Sequence, residues 1–128
     1  MRLLLDTNIA LWALTASRRL GARAQSLIAD PANEIFVSTA SIWEIAIKHS
    51  LGRGDMPISG ADASVFFAEA GYRELPVHWR HASAIESLPM IHSDPFDRLL
   101  IAQAINEPMR LLSRDSTLAS YGEMVLAV

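Results

Sequence analysis

The stretch Leu3-Leu4-Leu5-Asp6-Thr7-Asn8 places a carboxylate directly after three consecutive leucines. A short apolar run that ends at a charge is typical of a central strand of a sheet. Asp6 then has two interpretations, which this stretch by itself does not separate. It is either the N-cap of a helix over residues 8–14 or a ligand held at the end of a buried strand.

Strands and helices alternate along the rest of the chain. The apolar runs predict strands over residues 2–5, 34–37, 73–77, 109–113 and 124–128. Helical spacing of apolar residues predicts helices over 8–14, 18–30, 42–50, 61–70, 78–88 and 95–106, with a loop over 53–60. This alternation predicts an α/β fold with a parallel sheet, in one domain over residues 1–128.

The composition excludes several classes of protein. The chain has no cysteine, which excludes disulfides and thiolate zinc sites. No apolar segment reaches the length of a membrane span, and the apolar start lacks a signal-peptide cleavage pattern. We therefore expect a cytoplasmic protein without a membrane partner.

Four acidic residues fall where this order of elements brings them together. Asp6 ends the first strand, Asp115 follows the fourth, and Glu44 and Asp97 lie in the first turns of helices. The carboxyl ends of parallel strands share one edge of a sheet, where open α/β sheets place their active sites. Four carboxylates at one edge repel one another, so some of them must either take up protons or bind a cation. Oxygen ligands of this kind favour Mg²⁺ or Mn²⁺ over zinc.

Each of these positions also has a structural interpretation. Ser41 and Glu44 match a capping box, and Asp115 is placed to cap the turn that follows it. Asp94 is a natural N-cap, which puts Asp97 at the third position of its helix. We expect the helix dipole to keep Asp97 ionised near neutral pH. We assign Asp94 mainly to structure and Asp97 to the site.

The net charge of −3 at first argues against a polyanionic partner. The four site acids account for much of that charge, because the other ten acids face eleven basic residues. Ten of those basic residues are arginines, which suit bidentate phosphate contacts. Arg98 directly follows Asp97, and Arg114 directly precedes Asp115, so both are candidate phosphate contacts. For Arg98, a salt bridge is the favoured interpretation.

Four motifs in order carry a resemblance: LLLDTN, STASIWEIAIK, HSDPFDRLLIAQA and LLSRD. Together they make the chain similar to the PIN domain and, within it, to VapC-type toxins of toxin–antitoxin pairs. The resemblance implies a three-layer fold with a parallel sheet of about five strands in the order 3-2-1-4-5. It implies an endoribonuclease that needs Mg²⁺ or Mn²⁺, forms a homodimer and is neutralised by a VapB-type antitoxin. The family's acidic positions fall on Asp6, Glu44, Asp97 and Asp115, with Asn8 and Ser113 in supporting positions.

Our leading hypothesis is hydrolysis of RNA by a metal-activated water. A structure-selective DNase with the same chemistry is one alternative, because no residue reveals a contact to the 2′-hydroxyl. A non-catalytic, metal-stabilised RNA-binding regulatory module is another.

Overall fold

The computed structural model describes residues 1–52 and 54–128 as alternating strands and helices. The predicted loop over 53–60 contains Arg53, which lies outside the described residues. The strands are β1 (Arg2–Leu5), β2 (Glu34–Ser38), β3 (Arg73–Leu75), β4 (Arg110–Ser113) and β5 (Val125–Ala127). The helices are α1 (Thr7–Leu14), α2 (Ala22–Ala29), α3 (Thr39–Ser50), α4 (Gly60–Glu69), α5 (Trp79–Ala84) and α6 (Pro95–Asn106). Short 3₁₀ turns follow at Ile85–Ser87 and Leu118–Tyr121.

The five strands form one parallel sheet in the order β3-β2-β1-β4-β5, which confirms the predicted α/β fold and strand order. Strand β1 lies in the middle and pairs with β2 and β4. Leu4, for example, lies opposite Phe36 on one side and Leu111 on the other. A strand in this position has neighbours on every side, which explains the unbroken leucine run.

The sheet separates two apolar clusters. Side chains alternate between the faces of a strand, so Leu3 and Leu5 pack on one face and Leu4 on the other. The first face is covered mainly by α1, α2, α3 and α4, and the second by α6. All three leucines are fully buried. The sheet is therefore anchored from both faces, and its central strand is a rigid support for the residue that follows it.

Several element boundaries differ from the predicted ones for local reasons. Helix α3 begins three residues earlier than predicted, because the Ser38 hydroxyl accepts the Ala40 N–H and caps it there. Helix α2 begins only after Gly21, which takes the N-cap position. Strand β3 ends before Pro76, which has no N–H to donate to a ladder. Within residues 1–52 and 54–128, no helix has the length and apolar character needed to cross a bilayer.

Candidate metal centre

Asp6 is held in place through both of its carboxylate oxygens. It follows β1 at the carboxyl edge of the sheet and is only 7% exposed. Its Oδ1 accepts the Ile9 N–H at 2.8 Å and caps α1, while its Oδ2 accepts the Ser113 hydroxyl. Burial raises the pKa of Asp6 to about 6, against the lowering effect of these hydrogen bonds. The capping role that the sequence suggested is therefore real, and it leaves the carboxylate at the strand end.

Ser113 links Asp6 to Asp115. Ser113 is fully buried at the end of β4, and its oxygen also accepts the Asp115 N–H at 3.1 Å. Asp115 caps its own turn, because its Oδ1 accepts the Thr117 hydroxyl at 2.7 Å and the Thr117 N–H at 2.9 Å. Hydrogen bonds from the Thr117 hydroxyl and N–H lower the pKa of Asp115, and its contact with His92 adds to the effect. The second oxygen of Asp115, Oδ2, faces His92 in the segment that precedes α6.

Asp94 and Asp97 open helix α6. Asp94 is the N-cap, with its Oδ1 accepting the N–H groups of Phe96 at 2.8 Å and Asp97 at 3.0 Å. Asp97 lies in the first turn, as predicted, but its ionisation differs from the expectation based on the helix dipole. Burial, followed by the charges of Asp94 and Asp6, raises the pKa of Asp97 to about 7. Desolvation and neighbouring carboxylates outweigh a dipole effect that amounts to about 1 kcal/mol.

His92 is a site residue to which the sequence analysis gave no role. Its Nε2 lies 3.1 Å from Oδ2 of Asp115 and 3.7 Å from Oδ2 of Asp97. Its Nδ1 accepts the Asp94 N–H at 3.1 Å, so the neutral ring carries its proton on Nε2 and donates it to Asp115. The sequence did offer one indication of a role for His92, because it lies five residues before Asp97 in the same motif.

Glu44 lies on α3 and is paired with Lys48. Glu44 is 7% exposed, and its Oε2 lies 2.7 Å from the Lys48 amine one helical turn away. The capping box with Ser41 does not form, because α3 begins at Thr39 and the Ser41 hydroxyl instead accepts the Thr7 hydroxyl. The charge of Glu44 raises the pKa of Asp6 and of Asp97, which places it in the same electrostatic cluster. The i,i+4 spacing of Glu44 and Lys48 could have predicted the pair.

The two candidate phosphate contacts have different surroundings. Arg98 is 7% exposed and donates to the carbonyls of Pro89 and Ile85 and to the Tyr121 hydroxyl. These hydrogen bonds connect α6 to the segment before it. The Arg98 guanidinium is therefore occupied by carbonyl and hydroxyl groups of the protein, and not by a carboxylate. Arg114 is exposed, and its guanidinium donates to the Arg19 carbonyl. Asn8 is exposed in the first turn of α1.

The cluster has the composition of a site for a hard divalent cation. One ligand atom from each of His92, Asp97 and Asp115 lies within 4.8 Å of the others, the one such group in the part of the chain that the structure describes. Asp6 joins this group through Ser113, and Glu44 through its charge. Carboxylate oxygens suit Mg²⁺ and Mn²⁺. Burial and then neighbouring carboxylates raise the pKa of Asp6 and of Asp97, and a bound cation would favour their ionised forms. The residues present therefore fit such an ion.

The fold and the site together define a class, namely parallel α/β proteins with an acidic cluster at the carboxyl edge of the sheet. Within that class, the chain belongs to the PIN domain family, whose model matches residues 3–124. PIN domains are generally nucleases that depend on divalent metal ions. No curated protein sequence matches the chain at a significant level.

Solved structures with the same fold come from bacterial toxin–antitoxin complexes. VapBC2 from Rickettsia felis, bound to a DNA fragment from its promoter, is 16% identical with a TM-score of 0.72, covering 100% of this chain and 98% of that one. A toxin–antitoxin complex from Klebsiella pneumoniae is 20% identical with a TM-score of 0.62, covering 97% and 95%. VapBC-1 from nontypeable Haemophilus influenzae is 15% identical with a TM-score of 0.64, covering 94% and 92%. At these identities the likeness concerns the fold.

Proposed function

We propose that this chain is a Mg²⁺- or Mn²⁺-dependent endoribonuclease and the toxin of a toxin–antitoxin pair. The observation that carries the proposal is the gathering of Asp6, Glu44, Asp97 and Asp115 at the carboxyl edge of a PIN-domain sheet. In this proposal the four acids hold metal, directly or through water. Hydrolysis then leaves a 5′-phosphate and a 3′-hydroxyl.

The chain's own residues divide the work by position. Asp97 and Asp115 offer oxygens side by side, with His92 donating to Asp115 and fixing its orientation. Asp6 and Ser113 hold the strand ends together beneath them. Asp6, Glu44, Asp97 and Asp115 would hold a divalent ion, which would supply an activated water and electrostatic stabilisation of the phosphate oxygens.

The two alternative functions, a DNase and a non-catalytic RNA-binding module, predict different experimental outcomes. A DNase would cleave DNA in preference to RNA of the same sequence, and a regulatory module would bind RNA without turnover. Competition between matched RNA and DNA oligonucleotides separates the first alternative. Single-turnover cleavage with Mg²⁺ or Mn²⁺ and in excess EDTA separates the second.

The test compares matched variants of the purified chain. Asp6→Asn and Asp97→Asn remove site charges with little change of shape, and both are expected to abolish cleavage. Asp62→Asn is the control, because Asp62 holds the same third position in α4 as Asp97 holds in α6 and is exposed. Cleavage that survives EDTA or the Asp97→Asn change overturns the proposal.

The proposed antitoxin partner is supported by the structural relatives, which are complexes of a toxin with an antitoxin. We infer a VapB-type antitoxin, encoded next to this chain, and a homodimer as the toxin's own assembly.

Induction of the chain is expected to arrest growth, and co-expression of the neighbouring protein to relieve the arrest. Light scattering after gel filtration measures the dimer. Relief by an unrelated DNA-binding protein, or a monomer at all concentrations, contradicts these inferences.

A further inference from the structure

Four arginines lie together beside the acidic cluster. They are Arg18, Arg19, Arg23 and Arg114, called here the arginine flank, and all four are exposed. Residues 15–29 supply three of them and contain no acidic residue. The flank is thus a surface of one sign at the border of a site of the opposite sign.

Two hydrogen bonds fix the flank relative to the sheet. The Arg114 guanidinium donates to the Arg19 carbonyl at 2.6 Å, which brings the turn before α2 to the end of β4. The Arg23 guanidinium donates to the Ala127 carbonyl at 3.3 Å, and Ala127 lies opposite Ser113 in the sheet. Ser113 in turn donates to Asp6. The flank therefore adjoins the acidic cluster on its β4–β5 side.

The charges of the flank are not neutralised within the protein. Over residues 1–52 and 54–128, the arginines with a carboxylate partner within 4 Å are Arg73, paired with Glu34, and Arg80, paired with Glu107. The guanidinium groups of Arg114 and Arg23 instead donate to carbonyls, which leaves their positive charge available. Exposed guanidinium groups of this kind bind phosphate oxygens with two parallel N–H donors.

We propose that the arginine flank binds the phosphate backbone of the RNA on one side of the cleaved bond. This rests on the proposed ribonuclease function, because an endonuclease substrate continues past the site in both directions. The cluster spends the charge of its cation largely on its own carboxylates, so a neighbouring basic surface adds the attraction that a polyanion needs. The flank provides it at the sheet edge where the substrate has to lie.

The salt dependence of RNA binding tests the flank. A fluorescent single-stranded RNA is titrated with the Asp97→Asn protein over a range of KCl concentrations, so that no cleavage intervenes. The triple variant R18Q/R19Q/R23Q is expected to bind more weakly and to reduce the slope of log K against log salt by about 2, given roughly 0.7 per phosphate contact. Arg114 is left unchanged because it follows Ser113 directly.

A second triple variant is matched in charge. R2Q/R73Q/R110Q removes three exposed arginines from the opposite edge, at the starts of β1, β3 and β4. It is expected to keep the parent slope. Equal salt slopes in the two triple variants would overturn the proposal that the arginine flank binds RNA. So would a flank variant that binds RNA normally but no longer binds the antitoxin. If the unsubstituted protein does not cleave RNA and the Asp97→Asn protein does not bind it, the proposed function itself fails.

Discussion

At the scale of single residues, three acids of the cluster are held by hydrogen bonds to other protein groups before any cation binds. Asp6 is held by Ile9 and Ser113, Asp115 by Thr117 and His92, and Glu44 by Lys48. Carboxylates fixed in this way lose little freedom when they coordinate an ion. The hydrogen-bonding partners therefore matter for metal affinity as well as the acids.

Replacement of His92 tests this directly. His92→Phe keeps a ring but removes the donor to Asp115, and we expect Mg²⁺ to bind roughly 10- to 100-fold more weakly. His92→Gln retains a donor and is expected to lose less. Isothermal titration with Mg²⁺ in the absence of RNA measures both. The control is His49→Phe, an exposed histidine on α3. Equal affinity in the His92→Phe and His49→Phe proteins would show that His92 does not orient the site.

The raised pKa values of Asp6 and Asp97 predict how stability depends on pH. Both carboxyls have folded pKa values, of about 6 and about 7, above the unfolded value of 3.8. Below the unfolded pKa they are protonated in both states and contribute nothing. As the pH rises from about 4 to about 7, the folded protein must ionise buried groups, so its free energy of unfolding falls. Asp115, with its lowered pKa, acts in the opposite sense only at more acidic pH.

Urea unfolding in EDTA at a series of pH values measures this fall, and excess Mg²⁺ is expected to reverse most of it near pH 8. Asp97→Asn should flatten the dependence, whereas Asp62→Asn should not. A metal-free protein whose stability rises between about pH 5 and pH 7 would contradict the assignment.

At the scale of elements, the segment from His92 to Asp97, which leads into α6, supplies two of the three residues grouped as possible metal ligands. Its position was predictable because Asp94-Pro95 is a strong start signal for a helix, and Asp6 and Asp115 were placed by strand ends. The contacts of His92 and Arg98 were not predictable in the same way. His92 meets Asp115 across 23 residues, and Arg98 turns inward to carbonyls of a loop. Periodicity locates elements, but it does not locate contacts between side chains of different elements.

Substitutions of Asp94 separate its two effects on α6. Asp94→Ala removes the N-cap and is expected to cost about 1 kcal/mol of stability, whereas Asp94→Asn keeps a capping oxygen and costs little. Both remove a charge that raises the pKa of Asp97, so both should lower that pKa. Urea unfolding and an NMR titration of Asp97 measure the two effects.

Ser59→Ala provides the matched control for the cap. Ser59 caps α4 through the Asp62 N–H at 3.1 Å, so its loss should cost similar stability without moving the pKa of Asp97. An Asp94→Asn protein in which the pKa of Asp97 is unchanged would remove Asp94 from the electrostatics of the site.

At the scale of the whole molecule, the charged groups of the site lie at one edge of the sheet, and the apolar core lies on both of its faces. The acids Asp6, Glu44, Asp97 and Asp115 lie at the carboxyl edge of the sheet, next to the arginine flank, while the leucines of β1 belong to both apolar clusters. The strand that ends just before Asp6 is thus buried on both of its faces. The site depends on the core because the core fixes where β1 ends.

Adjacent leucines of β1 test whether both faces of the sheet are buried to the same degree. Leu3 and Leu4 are each 0% exposed but belong to different clusters, so Leu3→Ala and Leu4→Ala should each cost about 2–5 kcal/mol. Leu51→Ala is the matched control, because Leu51 is 65% exposed and its loss should stay within about 0.5 kcal/mol. Urea unfolding compares the three. If either strand variant unfolds like Leu51→Ala, that face is open to solvent, and the rigid support beneath Asp6 is on one side only.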